Sequence, residues 1–170
     1  MLRSSARYAG AGVQRIMDNP RTGEKLVILR SGDETDGQLL IFDAYLQPGA
    51  HVPASHAHPH QEERFTVLAG RVRFRVGGST LSLGVGQAVI VPRGTSHWFG
   101  NTGDVLAQVR VEVRPAMRMQ ELLESSSTRA GLVSWALIAL DFKRELAIPH
   151  IPGWLVTACL TPLAWLRAQA

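Results

Sequence analysis

Two short blocks, about forty residues apart, restrict the fold of this chain more than any other feature. The first, residues 49–70, places His56, His58, Glu62 and Glu63 between Gly49 and Gly70. The second, residues 86–101, places Pro92, Gly94, His97 and Asn101 after Gly86. His56 and His58 are two apart, which on a strand puts both imidazoles on one face. Pro59–Glu62 reads as a turn out of that strand. In the run that follows, Glu63 shares a face with Phe65 and Val67. A carboxylate on an apolar face is expensive to bury unless something pairs with it, and a cation held by neighbouring histidines would supply that pairing. His97 falls on another predicted strand, with Phe99 on its face. Residues so far apart in sequence meet only if their strands face one another across a closed or nearly closed sheet.

Three imidazoles and a carboxylate, with no thiolate, suit a borderline or hard divalent ion: iron, manganese, nickel, copper or zinc. Two histidines and a carboxylate match the facial arrangement of non-haem iron oxygenases, with His97 as a fourth ligand. On a six-coordinate ion, two positions then stay open for a substrate and dioxygen, or for a bidentate substrate. His60 continues the every-second-residue series, and Glu62 sits beside Glu63, so each is an alternative ligand.

At these residues the chain resembles the cupins. Their first motif is Gly, five residues, His-x-His, three or four residues, Glu, six residues, Gly; their second is Gly, five, Pro-x-Gly, two, His, three, Asn. Gly86, Pro92, Gly94, His97 and Asn101 meet the second at every position, and His58, Glu63 and Gly70 keep the spacing of the first. The departure is one extra residue between Gly49 and His56, which affects the local turn. The resemblance implies a mainly β fold, the cupin double-stranded β-helix or jelly-roll barrel. It also implies metal ligands His56, His58, Glu63 and His97, and a homodimer. It is strong over about residues 49–101 and extends over about 20–115, through flanks such as Asn19–Glu24 and Val111–Pro115.

With 170 residues, the chain is one ordinary domain with an appendage. The net charge of +4 is local: residues 1–30 hold six Arg or Lys against two Asp or Glu, and the remaining twelve of each cancel. A nucleic-acid surface would show a basic stripe interleaved with aromatics. Arg71, Arg73 and Arg75 alternate, but Val72, Phe74 and Val76 fill the gaps, which predicts a half-buried strand with a solvated face. No nucleic-acid partner is expected. The single cysteine, Cys159, forms no intramolecular disulfide and no thiolate cluster. Residues 1–10 lack an apolar core of seven residues, so no secretory signal is expected, and the predicted location is cytoplasmic.

Strands are predicted over Lys25–Arg30, Gln38–Leu46, Arg71–Val76 and Val105–Val113, with a short buried strand at Ala88–Val91. Residues 1–19 read as a flexible basic lead, 20–115 as the barrel and 116–170 as an apolar α-helical tail. Within the tail, helices are predicted over Met117–Ser125, Thr128–Ala147 and Trp154–Ala170, the last disturbed by Pro162. Three placements compete for this tail: a hairpin packed on the barrel or across a dimer, a pair of helices at a membrane surface, and a span through Leu146–Leu166. Three prolines, a histidine and a glycine oppose the span.

These features predict a metal-binding cupin, a metal-dependent dioxygenase on a small organic substrate or an isomerase. Glu63 would serve as ligand and proton acceptor, and Phe65, Phe74 and Phe99 as pocket walls. The alternative is a non-catalytic small-ligand-binding protein whose tail engages a partner or membrane. A third, metal-free reading uses His56 or His58 as a base with Tyr45 as the acid.

Overall fold

The computed structural model describes residues 15–148, except 21, 53 and 129–131, with backbone alone over 132–136. The strands are β1 (Ile16–Asn19), β2 (Glu24–Arg30), β3 (Leu40–Leu46), β4 (Glu62–Ala69), β5 (Arg71–Val76), β6 (Ser79–Gly84), β7 (Ala88–Val91), β8 (His97–Asn101) and β9 (Ala107–Arg114). Two helices follow, α1 (Met119–Thr128) and α2 (Leu132–Asp141). All pairings are antiparallel, in a six-stranded sheet of order β1-β2-β3-β9-β4-β7 and a three-stranded sheet of order β6-β5-β8.

Period-two alternation decides which residues meet between the sheets. In β9, Ala107, Val109, Val111 and Val113 are buried, and Gln108, Arg110 and Glu112 face away. β4 matches it, with Glu63 opposite Val113 and Phe65 opposite Val111. From the smaller sheet, β5 contributes Val72 and Phe74, and β8 contributes Phe99. Phe65 meets Phe74 and Phe99 at ring-centroid distances of 5.3 and 5.1 Å, tilted rather than face to face, as aromatic quadrupoles prefer. The three expected pocket walls are therefore a packed aromatic cluster, with His97 on it at 5.8 Å from Phe65.

Several boundaries differ from the sequence expectations. The large sheet begins at Ile16, so the last residues of the expected lead form an edge strand paired with β2; four residues without clean alternation carry too little pattern to be read. The Ala88–Val91 strand is not buried as expected: only Val91 is, and Ile90 is 53% exposed, because β7 is an edge strand with one neighbour. The long helix expected over Thr128–Ala147 ends at Asp141, and the chain then turns and continues to an isolated β-bridge at Ala147. The predicted helix Trp154–Ala170 and most of the Leu146–Leu166 run lie outside the described residues. Among the described residues, no helix is long and apolar enough to cross a membrane.

The helices are joined to the barrel core. Ala116, Met119, Leu122, Ile138, Phe142 and Leu146 belong to one apolar cluster with the inward faces of β3, β4, β5 and β9. Gln61, 1% exposed, donates from Nε2 to the Pro115 and Ala116 carbonyls at 3.1 and 2.9 Å, tying the start of β4 to the β9–α1 turn.

Candidate metal centre

The His-x-His segment is held by its main chain. The His56 N–H donates to the His97 carbonyl at 3.0 Å, and the His97 N–H to the His56 carbonyl at 2.7 Å. The His58 carbonyl accepts from Gly94 N–H at 2.8 Å. Gly94 closes the Pro92–Thr95 turn with φ +71°, a conformation that favours glycine. That turn delivers His97 to the start of β8, directly across from His56. Asn101, at the far end of β8, is buried with its amide satisfied. Nδ2 donates to the Leu46 and Val105 carbonyls at 3.0 and 2.7 Å, and Oδ1 accepts from Gly103 N–H at 2.9 Å. The asparagine of the second block thus pins β8 to the end of β3.

The imidazoles of His56, His58 and His97 converge, with one ring nitrogen from each lying within 4.8 Å of the others. Glu63 Oε2 joins them from the opposite wall, 2.9 Å from His97 Nε2 and 3.4 Å from His58 Nε2. For an ion about 2.1 Å from each donor, ligands at right angles lie about 3.0 Å apart, and ligands at the tetrahedral angle about 3.4 Å apart. The observed separations therefore fit a shared cation.

The ring orientations point the same way. Each Nδ1 lies against a backbone carbonyl: His56 on Ala54 at 3.0 Å, His97 on Thr95 at 3.3 Å, and His58 on Glu145. A carbonyl oxygen only accepts, so Nδ1 carries the proton in each neutral ring and Nε2 keeps its lone pair. Such outer partners orient metal-binding histidines. Although His97 Nε2 and Glu63 Oε2 are close, they are not aligned as a hydrogen bond, and among the described residues neither buried atom has another hydrogen-bonding partner. Two buried polar atoms that face each other at 2.9 Å without an aligned hydrogen bond are an arrangement that a shared cation would satisfy.

The electrostatics suit a cation. Burial, with the neighbouring His97 and His58, pushes His56 down to about 3, so its imidazole is neutral at physiological pH. Burial works to raise the Glu63 carboxyl, but His58 and His97 outweigh it and hold the group at about 2, ionised. His97 is lowered by burial, yet its contact with the Glu63 carboxylate leaves it above the ordinary imidazole value.

The candidates separate cleanly. His56, His58, His97 and Glu63 are brought together. His60 is exposed on the Pro59–His60 turn, away from the group, and Glu62 points to the other face of β4, opposite Arg114. Tyr45 lies on the outer face of the large sheet, beside Gln108 at 3.1 Å, so the metal-free reading with a tyrosine acid loses its acid. That face also carries a buried polar group, Asp43, which accepts from Arg110 Nε and Nη2 at 2.9 and 3.0 Å and from Gln108 Nε2 at 2.9 Å. Arg71, Arg73 and Arg75 are exposed, and Arg75 stacks over Trp98. The groups that orient the histidines were not foreseen: the carbonyls of Ala54, Thr95 and Glu145 carry no side-chain signal.

A double-stranded antiparallel barrel with histidines from a His-x-His segment and a later strand, facing a glutamate, defines the cupin architecture. Residues 42–113 match the sequence profile of the cupin domain. The chain is 32% identical over 111 residues to "Polyketide synthase CurC" of Streptomyces cyaneus, covering 65% of this chain and 71% of that protein. It is 33% identical over 97 residues to "Protein SchB" of Streptomyces halstedii, covering 54% and 70%. Among solved structures it is similar to an RmlC-like cupin from Shewanella frigidimarina, with TM-score 0.56, 20% identity, and 68% and 96% of the two chains covered. It is also similar to a predicted oxalate decarboxylase from Thermotoga maritima, with TM-score 0.52, 20% identity, and 60% and 91% covered. The chain belongs to the cupin superfamily.

Proposed function

We propose that this chain is a metal-dependent cupin acting on a small organic substrate of the polyketide type, with one divalent transition metal held by His56, His58, His97 and Glu63. The observation that carries the reading is the pair of buried, unpartnered atoms, His97 Nε2 and Glu63 Oε2, beside two further imidazoles turned the same way by carbonyls on their Nδ1 atoms. The substrate class comes from the relative described as a polyketide synthase. When bound, the ion would supply Lewis acidity and, if redox-active, electron transfer to dioxygen. The chain's own part is to gather three imidazoles, each with Nδ1 against a backbone carbonyl so that Nε2 faces the centre, and to keep the Glu63 carboxylate beside them ionised. Glu63 is the carboxylate of the group, and it would accept a proton from a bound substrate only on leaving the imidazoles that hold it ionised. Phe65 follows Glu63 on the same buried face of β4, and its ring packs on Phe74 and Phe99.

Elemental analysis tests the reading first: about one iron, manganese, nickel, copper or zinc per chain, lost in a His56→Ala/His58→Ala variant, is the expected result. No metal after reconstitution would overturn it. Oxygen uptake by the loaded protein with a phenolic polyketide as probe tests the dioxygenase activity. Metal without oxygen uptake or product would shift the conclusion to a non-catalytic ligand-binding cupin.

A further inference from the structure

We propose that Phe142–Ala147 is a strap that completes the metal centre, positioning His58 and governing how tightly and how long the ion is held. This rests on the metal reading above and extends it to a segment far along the chain from every candidate ligand.

The backbone accounting around the histidine segment carries the inference. An extended segment offers successive main-chain groups to opposite edges, and buried ones need partners. His56 spends both of its groups on His97 of β8. Ala57 spends both on Ala147, each N–H donating to the other's carbonyl at 2.8 Å. The two histidines therefore sit on a short central strand, with β8 along one edge and the strap along the other. Without the strap, Ala57 would keep an open edge and His58 would lose the carbonyl that orients its ring.

The strap is built to place that carbonyl. Below α2, Phe142 N–H donates to Ile138, and Glu145 and Leu146 N–H groups both turn back to the Phe142 carbonyl at 2.9 and 2.7 Å. This turn directs the Glu145 carbonyl at His58 Nδ1. Phe142 and Leu146 anchor it in the barrel core, and the Arg118 guanidinium lies 4.7 Å from the Phe142 ring. Glu145 is a positioning residue: it acts through its backbone oxygen on the far nitrogen of an imidazole whose Nε2 faces the centre. Loss of such an outer partner weakens metal binding about 10–100-fold.

The test uses the full chain, stripped of metal and titrated with cobalt(II), whose visible absorption reports ligand number and geometry. Ala147→Pro removes the N–H donated to Ala57 and restricts the preceding residue; Ala147→Gly keeps the N–H and serves as control. The expected result is one cobalt per wild-type chain, affinity about 10–100-fold lower with an altered spectrum in Ala147→Pro, and only a small change in Ala147→Gly. A second variant avoids dependence on the proline fold. A reciprocally bonded pair has Cα atoms about 5.5 Å apart, within disulfide reach. Ala57→Cys/Ala147→Cys in a Cys159→Ser background can therefore lock the strap, with residue 57 on the face opposite the imidazoles. Cobalt release to a chelator should be several-fold slower in the oxidised than in the reduced form. If wild type binds no cobalt, the metal reading itself fails. If wild type binds and folded Ala147→Pro binds equally, with identical release from the oxidised and reduced double variant, the strap is overturned while the metal centre stands. If Ala147→Pro does not fold, the oxidised-to-reduced comparison alone decides.

Discussion

Gly70 ends the first motif block, and its replacement by alanine separates two physical effects that the structure distinguishes. Its φ is +72°, which for an L-residue with a Cβ costs about 1–2 kcal/mol. The added Cβ would also lie 2.9 Å from Ala107 Cα and from the Leu106 carbonyl oxygen. These are backbone atoms at the entry to β9 and cannot rotate aside. Forcing them apart costs about 1–3 kcal/mol more, giving about 2–5 kcal/mol in all for Gly70→Ala. Gly86 supplies the comparison: its φ is +81°, but a Cβ there meets nothing within 4 Å. Gly86→Ala should therefore show only the conformational part, about 1–2 kcal/mol. Urea titration of the two variants beside wild type measures both, and in a chain of this size each kcal/mol lowers Tm by about 2–4 °C. Equal destabilisation of the two variants would refute the claim that Gly70 is there for the close approach of β9.

His97→Ala should lower metal affinity by more than about 100-fold, beyond the loss typical of an outer partner, and leave the far-ultraviolet circular dichroism of the barrel intact; unchanged affinity would remove His97 from the ligand set. Arg110→Ala leaves the buried Asp43 carboxylate, among the described residues, with the Gln108 amide as its side-chain donor, and should destabilise by about 2–3 kcal/mol in chemical unfolding, the lower side of a broken buried pair because Arg110 is partly exposed. Arg73→Ala, on the solvated face of β5, should stay within about 0.5 kcal/mol of wild type. Burial raises the half-buried Glu24 carboxyl from 4.5 to about 7. Its folded value lies above its unfolded one, so its contribution is fully present below about pH 4.5 and is lost as pH rises through about 7. Glu24→Gln should accordingly become more stable than wild type between pH 5 and 8, by about 1–2 kcal/mol after allowing for solvent at the partly open side chain. A pH-independent difference between the two would contradict the burial.

Much of the barrel was legible because its strands obey period-two alternation with one face buried. Val109, Val111 and Val113 against Arg110, Glu112 and Arg114 in β9, and Glu63, Phe65 and Val67 in β4, could face only one way. Alternation placed His56 with His58 and Glu63 with Phe65 on shared faces, but the set of His56, His58, Glu63 and His97 came from the resemblance to the cupins, since face and spacing alone left His60 and Glu62 open. β1 was not, because four edge residues carry no clear pattern, and β7 was misjudged as buried because an apolar run does not say whether a strand has two neighbours or one.

The amino-acid sequence alone determined the side-chain chemistry that the barrel gathers and which face each strand buries, because alternation and residue type act within a few residues. Tertiary structure put Glu63 beside the histidines and Glu62 on the other face of β4, left His60 exposed on a turn and turned Tyr45 outward, since a one-residue difference in register moves a side chain to the opposite face. It alone brought the Glu145 carbonyl to His58 and Ala147 to Ala57, 87 and 90 residues apart. Every residue but proline carries the same main-chain donor and acceptor, so no residue type announces which ones will meet.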